Sequence, residues 1–332
     1  MATSGIAKVQ HYVPQFLLRK FGNGKKDQLN VFDKHTGRSF PSNAKNVASE
    51  SRFYDYKIGD EGATVEPNLA ELESATKPIF EKILENDSTS VLNENERETI
   101  ATFLAVQFTR TKAAREQVVE IPRMLGEHFR SIGYTNEDLS SIAELIELPD
   151  ENDLKVQSVH MMLTAPENYG PHFINKEWLL VATSLKAPFI IGDHPIALQN
   201  SIKMGPYGNL GIAVQGIEIY LPLSPVRALA LWCPSHKETA LDAANTLRKL
   251  RAFAPHLIPK IIRDPDGIES LERALINHTP LQYSPLHVRN FNSLQVSFAE
   301  RFLFSNSSDF SLPQEMIRAQ PSIRTGMRMQ RG

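Results

Sequence analysis

Hydrophobic spacing changes character near residue 170, and that change most constrains the fold. Residues 65–165 repeat apolar side chains at helical intervals, whereas residues 176–233 carry short apolar runs with strand chemistry, separated by Gly, Pro and Asn. The expected class is α+β: mainly helical, with a small β module at the N-terminal end and a central mixed or antiparallel sheet. No repeat, low-complexity stretch or linker interrupts the chain. Residues 1–305 are therefore expected to form one interwoven domain, followed by a polar, mobile tail over 306–332.

Within that frame, residues 1–60 read as an irregular α/β module. A helix opening at Pro14 closes at Gly22 and Gly24. A hairpin follows, from Leu29–Asp33 through the turn His35-Thr36-Gly37 to Arg38–Phe40, and a short strand covers Phe53–Tyr56. In 65–165, Pro67 opens a helix carrying Leu69, Leu72, Ile79, Phe80, Ile83 and Leu84, with a kink expected at Pro78. Asn93, with Glu96 three residues later, predicts a capped long helix running to about Glu120. Two more helices are expected at Asn136–Leu148 and Asp150–Leu163. The sheet part, 176–233, predicts strands at Trp178–Ala182, Phe189–Ile191, Ile217–Leu221 and Ala228–Trp232. Helices return in 241–305, at Leu241–Phe253 and Pro285–Phe304.

Composition removes several function classes. The 332 residues carry 36 Lys and Arg against 38 Asp and Glu, a formal net charge of −2, so no general electrostatic grip on nucleic acid is expected and any basic site must be local. One cysteine, Cys233, permits no internal disulfide and reads as a packing residue in a reducing compartment. The first residues lack the apolar core of a secretory signal, and no apolar run approaches the roughly 20 residues that span a bilayer. The expectation is a cytoplasmic protein with no membrane partner. There is no P-loop, no G-x-S-x-G and no H-E-x-x-H, and the ten histidines lack ligand spacing. Glu71 and Glu73, two apart, cannot share one site on a regular helix and read as a solvated face.

The chemistry-bearing residues fall on four segments. In HYVPQFLLRKF, residues 11–21, Pro14 suits a helix start, and Gln15 and Arg19 share one face of that helix. His11 stands just before it. Imidazole, amide and guanidinium can thus meet at one spot, a way to hold a phosphate or carboxylate. In the long helix, Ile100, Phe103, Leu104 and Phe108 form an apolar stripe that continues into Gln107 and Thr111, flanked by Arg110 and Arg115. Either the helix leaves the core there, or the stripe enters a polar cavity. In the C-terminal helix, Asn292 and Gln295 interrupt the stripe Val288, Phe291, Phe298, Ala299, Phe302, and Arg301 flanks its end. A buried amide pair explains this as well as a binding pocket does. Finally, Asp193 sits in a turn after the strand Phe189–Ile191. It could orient His11, bind a metal or act as a base, or simply cap an Asx turn. His194, before Pro195, reads as a turn residue.

HYVPQFLLRKF resembles the signature of a bacterial domain-of-unknown-function family, number 4238. FLAVQFTRTKAAR (103–115), FIIGDHPI (189–196), LPLSP (221–225) and FNSLQVSFAERFLFS (291–305) fit the family in order. The third stretch usually reads S-D-N-P in the family; here Gly192 and His194 replace the serine and asparagine. The resemblance implies no settled activity, but some members are associated with anti-phage defence. It marks His11, Gln15, Arg19, Gln107, Arg110, Arg115, Asp193, Asn292 and Arg301. The resulting expectation is a nuclease or nucleotide-processing defence effector. His11, Asp193 and Arg19 would be catalytic, and Gln15, Gln107, Arg110, Arg115, Asn292 and Arg301 would bind a nucleic acid or nucleotide. A divalent metal is left open. The alternative is a non-catalytic sensor of an anionic ligand or phage component. A third reading makes these residues a buried scaffold network.

Overall fold

A computed structural model describes residues 8–202 and 210–327. The chain is α+β, and two sheets organise it. In chain order, the N-terminal module contains β1 (Val9–His11), α1 (Gln15–Lys20), β2 (Gln28–Asp33), β3 (Arg38–Asn43), β4 (Ser49–Ser51), β5 (Asp55–Ile58) and β6 (Glu61–Thr64). The helical part contains α2 (Glu66–Asn86), α3 (Glu94–Thr109), α4 (Lys112–Ser131), α5 (Asn136–Ser140), α6 (Ala143–Ile146) and α7 (Glu151–Ile174). The sheet part contains β7 (Glu177–Ala182), β8 (Ile191–Gly192), β9 (Ala197–Asn200), β10 (Ile217–Ser224) and β11 (Arg227–Trp232). The rest is α8 (Pro234–Phe253), α9 (Ile258–Ile261), α10 (Pro265–Asn277), β12 (Leu281–Gln282), α11 (Pro285–Phe298), β13 (Phe302–Ser305) and α12 (Ser311–Ala319).

The central sheet has the order β12-β7-β11-β10-β9; all its pairs are antiparallel except β12 with β7. Its strands are apolar on both faces because both are covered. Trp178, Leu180, Ile219, Leu221, Leu229 and Leu231 face the main core with α2, α3 and α7. The alternate residues Leu179, Val181, Tyr220, Ala228 and Ala230 pack with Ala240 of α8, Ala274 and Leu275 of α10, and Val288 and Phe291 of α11. Two-residue alternation thus divides one sheet between two cores.

The second sheet, β3-β2-β13-β8, joins the N-terminal module to residues 302–305. β2 pairs with β13, Asp33 opposite Phe302, and β13 pairs with β8, Leu303 opposite Gly192. Residues some 270 positions apart are therefore neighbours in one sheet.

Several boundaries differ from expectation. The long helix expected to reach Glu120 breaks at Arg110. Thr111 adopts an extended conformation and its hydroxyl accepts from the Ala114 amide, starting α4 as a capped helix. The Pro285 helix stops at Phe298 rather than Phe304, because residues 300–302 give their amides to Asp193 and the chain then extends as β13. The segment expected as a tail contains α12, anchored by buried Phe310 and Ile317, with the Phe310 ring 5.4 Å from that of Phe32. Residues 328–332, the end of that segment, lie outside the described residues. Among the described residues, no helix is long and apolar enough to cross a membrane.

Candidate functional site

Pro14 caps α1 and sets the register that brings the first motif together. The Arg19 guanidinium (Nη2) donates to Gln15 Oε1 at 2.9 Å, and Gln15 Nε2 faces His11 Nδ1 at 3.4 Å. The spacing of four seen in the sequence thus becomes a continuous line of contacts, Arg19 to Gln15 to His11. The other ring nitrogen, Nε2, is buried with no hydrogen-bond partner among the described residues. Burial holds the imidazole below its usual pKa. The carbonyls of Lys45 and Ala44 and the carboxylate of Glu73 oppose that shift, whereas the charge of Arg110 adds to it.

Beside this line is a cleft of about 430 Å³, lined by Arg19, Lys26, Asp27, Asn43, Ala44 and Lys45. Gly22 makes the cleft possible: a Cβ there would meet the Asp27 backbone at 2.7 Å, so only glycine lets the chain fold back under α1. Three cations and one carboxylate line the cleft, and Asp27 reaches the Arg19 guanidinium only at 3.6 Å. The local charge favours an anion, although the whole chain is slightly acidic.

Arg110 and Arg115 turn inward. Arg110, fully buried, donates to Glu73 Oε1 at 2.8 Å. Arg115 lies 3.6 Å over the Phe53 ring and donates to the Phe53 carbonyl at 2.7 Å. Tyr54 bridges the inner wall, its hydroxyl donating to the carbonyls of His11 and Arg110. Gln107 donates to the Tyr12 carbonyl at 3.0 Å, which fixes α3 against the strand carrying His11. Glu66, half-buried at the start of α2, is pushed up to about 7 by burial and by the neighbouring Glu73 carboxylate.

The other three expected site residues belong to a separate arrangement around the end of α11. The Asp193 carboxylate accepts from the amides of Glu300, Arg301 and Phe302 at 2.6, 2.9 and 2.9 Å. It acts as a backbone clamp and does not orient His11. Asn292 accepts from the Ile190 amide and donates to the Pro188 carbonyl; Gln295 likewise bridges the Gly192 amide and the Pro195 carbonyl. Arg301 grips Asp33 with two donors, at 2.8 and 3.1 Å. Lys34, fully buried, donates to the carbonyls of Val296 and Ala299. Asp193 and Lys34 satisfy the amides and carbonyls around the buried end of α11, Asn292 and Gln295 those of residues 188–195, and Arg301 remains partly exposed beside Asp33. One shared cavity lined by all nine expected residues is therefore not what forms. His194 is more than a turn residue: buried, it meets the Thr111 hydroxyl through Nδ1 and stacks on Phe298.

Four contributors to the first site escaped the sequence reading. Glu73 was expected on a solvated face, yet it partners the buried Arg110. The signal was there: Glu73 follows Leu69 by four and precedes Thr76 by three, and both neighbours are buried on one stripe of α2. Glu66 lies on the same stripe, three residues before Leu69 and seven before Glu73. Lys26 and Lys45 sit in turns whose spatial neighbours no local pattern reveals. Among the described residues, no group of three or more His, Cys, Asp or Glu side chains is placed to hold a metal ion.

A family model described as a protein of unknown function, DUF4238, matches residues 9–309, and the chain belongs to that family. No curated protein and no solved structure matches it.

Proposed function

We propose that this member of the DUF4238 family is a phosphoester-processing enzyme acting on a nucleotide or a nucleic-acid phosphodiester. His11 moves the proton, and Arg19, Lys26 and Lys45 hold the phosphate. One observation carries the reading: a line of contacts runs from a cation-lined cleft, through Gln15, to an imidazole kept neutral near physiological pH. A neutral imidazole is the common protein base in this pH range. A guanidinium offers two parallel donors to phosphate oxygens, and fixed cations stabilise the charge that develops on them.

In this mechanism an incoming phosphate settles against Arg19, Lys26 and Lys45. His11 Nε2, the ring nitrogen left without a protein partner, takes a proton from the attacking water or hydroxyl once substrate entry opens its enclosure, or returns one to the leaving oxygen. Glu73, anchored by Arg110, favours the imidazolium once it forms. Gln107 and Tyr54 hold the strand bearing His11 in place. Asp193 takes no part, its oxygens being committed to backbone amides. The defence role associated with some relatives would follow if the substrate were phage or host nucleic acid, or a nucleotide pool.

The test is incubation with single-stranded RNA, single- and double-stranded DNA, and nucleoside di- and triphosphates, wild type against His11→Ala. Turnover that falls about 100-fold or more in the variant, with an unchanged melting temperature, fits general acid–base catalysis. Equal turnover by both proteins removes His11 from the chemistry. One feature favours a second reading, a non-catalytic sensor of an anionic ligand or phage component: Nδ1 is faced by the Gln15 amide and Nε2 is enclosed. Anion binding in the cleft without turnover of any of these substrates would select it.

A further inference from the structure

The geometry points to Gln15 as a positioning residue that reports occupancy of the cationic cleft to the His11 ring. An anion that draws Arg19 off the Gln15 carbonyl lets the amide turn over and present its oxygen to Nδ1. This coupling rests on the reading that the cleft takes a phosphate, and adds how binding there prepares the imidazole.

The argument is one of donors and acceptors. A guanidinium has no acceptor, so the Gln15 atom 2.9 Å from Arg19 is the oxygen. The amide nitrogen must then face His11, and it too can only donate. Nδ1 therefore carries a lone pair and the ring proton sits on Nε2. Adding a proton at Nδ1 would set two donors face to face. The free protein thus resists formation of the imidazolium that proton transfer requires.

Arg19 is the part that can move. Its side chain is 53% exposed in the cleft, and besides Gln15 it meets Asp27 only at 3.6 Å. The other groups around the ring are fixed: Glu73 of α2 by its bond to Arg110, Arg110 by burial, and the Ala44 and Lys45 carbonyls by the backbone. A phosphate oxygen competes for the same guanidinium donors with a full negative charge, and charge-assisted bonds are the stronger. Once released, the Gln15 oxygen can accept from Nδ1–H. His11 then holds an extra proton only when an anion is in place.

The experiment is an NMR titration of the His11 Cε1–H resonance in the ligand-free protein. Arg19→Gln imitates withdrawal of the guanidinium and should raise the His11 midpoint by roughly half to one unit, the scale of one net hydrogen bond. In a Gln15→Ala background the same substitution should raise it by less than half as much. A rise of equal size in both backgrounds would be the field of the lost charge alone, and would overturn the coupling. As a second variant, Gln15→Glu places a permanent acceptor at Nδ1 and should raise the midpoint with Arg19 intact; an unmoved midpoint also overturns it. Inorganic phosphate should shift the wild-type midpoint upward and that of Gln15→Ala by less than half as much. Phosphate that binds beside Arg19 and Lys45 without moving His11 sinks the coupling and spares the proposed enzyme. A positive mutant cycle with no phosphate binding keeps the coupling and removes the phosphate reading.

Discussion

Arg110 and Glu73 meet at 2.8 Å, the guanidinium enclosed by protein and the carboxylate about a quarter exposed. The pair joins α2 to the break between α3 and α4 and forms the inner support of His11. Removing the carboxylate would leave a buried charge without its hydrogen-bonded partner, with only half-buried Glu66 as a nearby carboxylate. Glu73→Ala is expected to cost about 3 kcal/mol, the lower end for breaking such a pair because one partner touches water. Glu73→Ala combined with Arg110→Met should recover much of that loss. Urea unfolding of the three proteins checks this, and a single-variant loss under about 1 kcal/mol contradicts it.

His194 should give the fold a measurable acid sensitivity. Burial pushes its imidazole down to about 4, so the folded protein keeps it neutral where the unfolded chain would protonate it. Its folded pKa lies below the unfolded value. The stabilisation is therefore complete above pH 6.5 and is lost as pH falls toward 4, amounting to about 3 kcal/mol. His194→Gln should flatten the difference between urea midpoints measured at pH 7.5 and pH 4.5. An unaltered difference would assign the sensitivity to other groups.

Gly192 occupies a position where a side chain has no room. An added Cβ would lie 2.9 Å from the Ala299 Cβ and 3.2 Å from the Gln295 carbonyl. Gly192→Ala should therefore lower stability by about 1–3 kcal/mol, the usual range for overpacking. Gly192→Ser, which adds the same Cβ, should do no better unless Ala299→Gly accompanies it. Thermal melting of the single and double variants decides, and a neutral Gly192→Ala would show that the end of α11 gives way.

The acid limb of the activity profile reports on His11. Its pKa is held below 6.5, chiefly by burial, so the basic form persists into mildly acidic solution. Once a substrate is found, the acid limb of kcat/KM should have its midpoint below pH 6.5. A limb centred near 7 that disappears in Glu66→Gln would instead identify Glu66, whose carboxyl is pushed up to about 7.

Residues that answer to their immediate neighbours could be read from sequence. The hairpin β2–β3 and strands β7, β10 and β11 lie where alternating aliphatic runs and the His35-Thr36-Gly37 turn put them. The Asn93 capping box formed as its spacing implied. Gln15 and Arg19 also met, because one helical turn brings them together, and His11 at the end of β1 meets Gln15 at the start of that helix. The end of α11 was not legible: Phe302 continues the apolar stripe at helical spacing, and the groups that stop the helix, Asp193 and Lys34, come from distant parts of the chain. Asp193, Asn292 and Arg301 shared a chemical signature with the His11 group but bond to the protein's own backbone and to Asp33. A polar residue on an apolar face signals that a partner exists, and leaves open whether the partner is a ligand or the backbone.

The pairing of β2 with β13 also governs the order of events at the ribosome. The β2 edge that carries Asp33 stays open until residues 302–305 have been made, so some 270 further residues must be synthesised before that sheet can close. Nascent fragments expose a ready template for wrong pairings, and expression trials should depend more on chaperone supply and translation speed than the size of the protein would suggest.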